Sequence, residues 1–138
     1  MSTDWQDATH RHFEDGALLE AAGRYANADH LFGFSTECSL KAVMLGIGHP
    51  KAVAGDWPDG HKTHINVLWS GFQSFANGLF DAKYAAYLAP ANPFATWSVN
   101  QRYWARIHFS KVSVAPRMAA ADDCRKLMTQ LVLDGVFS

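Results

Sequence analysis

The sequence predicts an all-α chain, an antiparallel up-and-down bundle of four to five main helices, and three observations predict it. Apolar residues recur at helical spacing through most of the chain. Capping patterns and glycine stops punctuate that spacing. No stretch alternates apolar and polar residues between turn signals as a half-buried strand would. With 138 residues, 49% of them apolar and 13% aromatic, residues 1–138 read as a single domain with ample material for one core.

Each element has its own signals. Thr3 and Gln6 form a capping-box pattern, with Asp4 in the first turn to complement the helix dipole. Trp5, Ala8, His12, Leu19 and Ala22 then recur at helical spacing up to Gly23, which predicts a helix over 4–22. Only Gly23-Arg24 separates it from a second helix over 25–45, with a stripe of Ala28, Leu31, Ser35, Cys38, Ala42 and Leu45. So short a connection makes the two an antiparallel hairpin. Gly46 and Gly48-His49-Pro50 end the second helix, and the stretch to Gly60 reads as an irregular loop.

A third helix is expected from near Thr63, with His64, Leu68, Phe72 and Phe75 on one face and Gly78 as a break. Asp81 to Leu88 reads as a further helical piece, before Pro90 and Pro93 interrupt regular structure. Ser98 and Gln101 repeat the capping-box pattern, so a fourth helix is expected from Ser98 to about Ser110. Ser113 as N-cap with Pro116 in the first turn starts a fifth, reaching Gly135. Its inward stripe is Ala120, Cys124, Leu127, Leu131 and Val132.

Bulk charge narrows the function classes. A net charge of -1 argues against coating nucleic acid by bulk electrostatics. Residues 1–100 carry -4 and residues 101–138 carry +3, so the C-terminal third is the basic part. Charged residues are 18% against roughly 25% in typical soluble domains. So thin a charge coat predicts apolar surface covered by a partner, most simply a second copy in a homodimer. Cys38 and Cys124 fall on apolar stretches and read as small buried hydrophobes. No apolar run approaches the roughly 20 residues that span a bilayer, and the N-terminus lacks a signal-peptide pattern, so the chain reads as cytoplasmic with no membrane contact.

Three groups of residues could carry chemistry. His61-x-x-His64 supplies only two of the three or four ligands zinc takes, with no Cys or carboxylate pair at matching spacing, so no metal site is expected. Glu37 and Lys41 lie at i, i+4. They read either as a solvated pair worth about 0.3–0.5 kcal/mol, or as a carboxylate turned into an interhelical groove and needing a cation. For the groove, Arg102 is the expected partner. The third group, Trp97 to His108, is the densest in functional side chains. On a helix Arg102 and Arg106 share one cationic face, suited to phosphate. Tyr103 and Trp104 are then either stacking platforms for bases or core.

The run His12-Phe13-x-Asp15, Gly23-Arg24-Tyr25-x-x-Ala28-x-His30-Leu31 and Glu37-Cys38-x-Leu40-Lys41-Ala42 resembles the first helical hairpin of HEPN-domain proteins. Lys62-Thr63-His64-x-x-x-Leu68-Trp69 is similar to the start of their third helix, and with Trp97 to His108 the likeness spans most of the chain. The resemblance implies a helical bundle, usually dimeric. Many such proteins are metal-independent endoribonucleases, or companions of nucleotidyltransferases in toxin–antitoxin pairs. It implies no cofactor.

The family's Arg-x4–6-His signature falls on Arg102 and His108, as catalytic residues meeting those of a second protomer, with Glu37 and Lys41 as supporting polar groups. Arg106 and Tyr103 are the accompanying phosphate and base contacts. Metal-free RNA cleavage asks for these types: His takes the 2′-OH proton and Arg stabilises the phosphate. Tyr103 stands where catalytic members usually carry a small polar residue. On an ideal helix Arg102 and His108 are about 120° apart, so their convergence calls for long side chains, a helix irregularity or the second protomer. The expected function is therefore RNA or nucleotide interaction, as a nuclease or as a non-catalytic nucleotide-binding or nucleotidyltransferase-docking subunit. A helical oligomerisation module is the third reading.

Overall fold

The computed structural model describes residues 2–47, 63–79, 84 and 86–137, apart from the side chains of 77–79. Among them are four α-helices and no strand: α1 (Trp5–Ala21), α2 (Tyr25–Gly46), α3 (Ile65–Leu79) and α4 (Lys111–Leu133). The compact packing of these helices is compatible with the expected bundle.

Local chemistry sets the helix ends. Asp4, one residue later than the expected Thr3, caps α1 by accepting from the Asp7 amide at 2.9 Å. Gly23 stops α1 at φ +75°. There the Arg24 amide reaches Leu19 O at 2.8 Å and the Gly23 amide reaches Glu20 O at 3.0 Å, a Schellman closure. Gly135, at φ +74°, closes α4 in the same way. Helix α3 begins at Ile65, two residues beyond the expected Thr63, and passes through Gly78 to Leu79. The expected loop of 48–60 lies outside the described residues, as do His61 and half of the helical piece at 81–88.

Helix α2 is the centre of the packing. From Ser35 to Met44 every residue is buried, so the single stripe expected of it is a fully wrapped segment. A helix enclosed on all sides must satisfy its small polar residues internally. Thr36 donates to Phe32 O and Ser39 to Thr36 O, both at 2.8 Å. Ser35 donates across to Thr9 O of α1 at 2.8 Å, locking the hairpin register. The larger core joins Leu40, Val43 and Met44 of α2, Leu68, Trp69 and Phe72 of α3, and Cys124, Leu127 and Leu131 of α4. Each fully buried Leu or Phe is worth roughly 1.5–3 kcal/mol. Both cysteines are free and buried. Burial, with the Glu37 carboxylate adding to it, pushes the Cys38 thiol up to about 12, and burial pushes Cys124 up as well.

Two expectations for the C-terminal third fail. The fourth helix from Ser98 to Ser110 is instead two short 3-10 segments, Val99–Tyr103 and Arg106–His108. The Ser98–Gln101 capping box is present, but Trp104 and Ala105 are extended, at ψ 151° and 142°, and break the spiral. The last helix starts earlier than Ser113. Ser110 is its N-cap, in a reciprocal box with Ser113. Pro116 therefore sits inside α4 rather than in its first turn. The helical donor it denies is the one for the carbonyl of Val112, an exposed residue where water can substitute.

Candidate functional site

Midway along α2, Glu37 is buried at 5% exposure, which decides against the solvated-pair reading. Lys41 is fully buried and donates from Nζ to Glu37 Oε2 at 3.2 Å, with its ammonium 5.2 Å from the Trp5 ring centroid. Glu37 Oε1 lies 3.0 Å from Nδ1 of His64, at the residue just before α3. Each carboxylate oxygen thus has its own partner, as a buried charge requires. The expected partner, Arg102, is not one of them. Its exposed guanidinium instead lies 4.9 Å from the Tyr103 ring centroid.

A carboxylate held by an ammonium accepts hydrogen bonds and donates none. His64 Nδ1 therefore donates to Glu37, which leaves Nε2 as the other nitrogen of a ring with 29% of its side chain exposed. Beside it lie Phe34 and Trp97, with ring centroids 6.4 and 6.1 Å from that of His64. His30 stacks on Trp97 at 5.3 Å, and His12 sits 5.9 Å from Phe34. Burial first, then the charge of Arg102, lowers the pKa of His30; burial first, then Arg11, lowers that of His12. Of these, His12, Phe34 and His64 border a cleft of about 900 Å³ whose described lining also includes Arg11, Glu37 and Arg102. Among the described residues no three His, Cys, Asp or Glu side chains come together as metal ligands.

Residues 102–108 do not form the single cationic face expected of a helix. Arg102 borders the cleft just described, whereas Arg106 lines another of about 590 Å³ with Arg24, Tyr25 and Trp104. His108 lines a third, of about 410 Å³, with Asp29, Thr96 and Arg117. Within the chain Arg102 and His108 thus border different clefts. Neither aromatic of this segment is core: Tyr103 is 77% and Trp104 48% exposed. Ile107 beside them is 85% exposed.

Sequence reasoning missed the network that holds this segment. Asp29 of α2, 1% exposed, accepts at Oδ2 from Arg117 Nη1 at 2.6 Å and from Gln101 Nε2 at 2.7 Å. Arg117 also donates to Pro93 O and to Thr96 Oγ1, and Trp97 Nε1 donates to Asp29 O at 3.3 Å. The available signal was a lone carboxylate in the apolar run Ala28-Asp29-His30-Leu31, the pattern that drew attention to Glu37.

With a carboxylate-oriented imidazole and a guanidinium on one cleft, the site can hold an anion and exchange a proton. No described helix is long and apolar enough to cross a membrane. No family model matches this chain, and no curated protein or solved structure matches it either.

Proposed function

We propose that the chain is a HEPN-like domain that contacts RNA or a nucleotide through residues 102–108 and pairs with a second copy of itself. The observation that carries this reading is the exposure of Tyr103 and Trp104 among Arg102, Arg106 and His108, all exposed, in a segment with no acidic side chain. Stacking platforms interleaved with guanidinium forks suit single-stranded nucleic acid. Exposed Tyr103, Ile107 and Val112 supply apolar surface for a dimer contact.

In the nuclease form of this reading, Arg102 binds the scissile phosphate and His108 exchanges the 2′-OH proton. The pair is then completed across two protomers, because one protomer holds them on different clefts. RNA cleavage in EDTA by wild type, Arg102→Ala and His108→Ala tests it. The expected result is cleavage by wild type and a loss of about 100-fold or more in each variant. Equal activity in all three, or none in wild type, removes the nuclease.

The separation of Arg102 from His108 favours a second reading, a non-catalytic nucleotide-binding subunit that can dock a nucleotidyltransferase. It predicts no cleavage, and a rise in melting temperature with nucleotide that depends on Arg102 and Arg106. Sedimentation of the intact chain as a monomer at micromolar concentration would count against the paired assembly in either form.

A further inference from the structure

We propose that the cleft between α1, α2 and the start of α3 is a phosphate-binding pocket, in which His64 and Arg102 are the ligands and Glu37 positions His64. The proposal rests on the reading of Arg102 as a phosphate contact, but makes its partner His64 instead of His108.

Three observations carry it. Arg102 reaches the cleft with no carboxylate partner among the described residues, so its fork is open to an anion. His64 is held at Nδ1 by a carboxylate that the fully buried Lys41 anchors in turn, so the ring is oriented before any ligand arrives. The 900 Å³ cleft exceeds what a phosphate needs and can admit the rest of a nucleoside monophosphate.

The charges facing His64 come from every neighbouring element. Helix α1 and its cap contribute Asp4, Asp7, Arg11 and His12 to the cleft. Helix α2 contributes Glu37, Lys41 and, through Trp97, His30; the 3-10 segment contributes Arg102. Asp4 is engaged in capping α1, and Lys41 balances Glu37. A phosphate at Nε2 would bracket the imidazole between two anions and hold it as imidazolium. The second proton comes from solvent or from a monoprotonated phosphate, and Nε2–H then donates to a phosphate oxygen.

The test is calorimetric titration of the intact protein with inorganic phosphate, AMP and adenosine, with histidine ¹H–¹⁵N spectra recorded alongside. We expect phosphate and AMP, but not adenosine, to perturb His64 saturably, with weaker binding at pH 8 than at pH 6.5. His64→Gln, at a partly exposed position, should weaken AMP by about tenfold or more, the loss of one charge-assisted hydrogen bond, and flatten the pH dependence. Arg102→Ala should weaken it at least as much, and Lys126→Ala not at all.

Glu37→Gln should release the Nδ1–H tautomer of His64 and shift the pH profile, which a purely structural defect would not do. Absence of a saturable His64 response to either phosphate or AMP overturns the proposal. So does binding weakened by His108→Ala but not by His64→Gln. In that last case the contact surface of residues 102–108 stands and only the pocket falls. A response to adenosine equal to that of AMP also overturns it, by showing that the base is recognised and the phosphate is not.

Discussion

Gly33 and Gly71 both lie inside helices, and substituting each by alanine should move stability in opposite directions. A Cβ at Gly33 would overlap the indole of Trp97, which lies against the α2 backbone there. Gly33→Ala must displace a fully buried ring that packs against Phe34 and His64 of the candidate cleft, and should cost about 2 kcal/mol or more in urea unfolding. A Cβ at Gly71 meets nothing within 4 Å. Gly71→Ala on the exposed face of α3 should therefore stabilise by about 0.5–1 kcal/mol through helix propensity alone. The buried Lys41 makes a third residue-scale test. Lys41→Met leaves Glu37 with its ammonium removed and should cost about 3–5 kcal/mol. The double variant Glu37→Gln/Lys41→Met should cost clearly less than the two single losses added together. The sequence showed that Glu37 sits among small and apolar neighbours. It could not show that His64 is its partner, because that pairing depends on how α3 docks against α2.

Among elements, α4 shows how capping chemistry is legible while register is not. Ser110 and Ser113 both lie near the start of the last helix, and either satisfies an N-cap pattern in the sequence. The N-cap is Ser110, whose side chain accepts from the Ser113 amide at 3.1 Å. Ser110→Ala should lower stability by about 1 kcal/mol, read from the urea midpoint. The segment from Ser98 teaches the converse. Its capping box marks where a spiral starts, and nothing local marks how soon it ends. Gln101 and Trp97 are both tied to Asp29, and Trp97 is seated on Gly33, so α2 fixes the path of the chain by hydrogen bonds to a residue 72 and 68 positions away in sequence. Those contacts turn an expected helix into two 3-10 segments, and send Arg102, Arg106 and His108 to three different clefts.

For the whole molecule, the burial of His12 and His30 beside Phe34 couples stability to pH. Burial lowers the pKa values of His12 and His30 below the ordinary 6.5. The unfolded chain then binds protons at higher pH than the folded one. The contribution of these groups is present above about pH 6.5 and is lost as pH falls through the folded values. Urea midpoints should thus drop between pH 7 and pH 5.5, before most carboxylates titrate. His30→Phe, which keeps a ring against Trp97, should reduce that drop; an unchanged slope would assign it to other groups.

The sequence by itself determined the helical class, the tight first hairpin at Gly23-Arg24, the inward face of α4 and the residue types available for chemistry. All of these follow from contacts within a few turns of chain: spacing, caps and chain-reversing glycines act locally. Only the tertiary structure decided that α2 is enclosed on every side from Ser35 to Met44, that Glu37 meets His64, and that Arg102 and His108 border different clefts. Those outcomes come from the docking of segments far apart in sequence, where burial of rings such as Trp97 and pairing of buried charges such as Asp29 outweigh local helix preference.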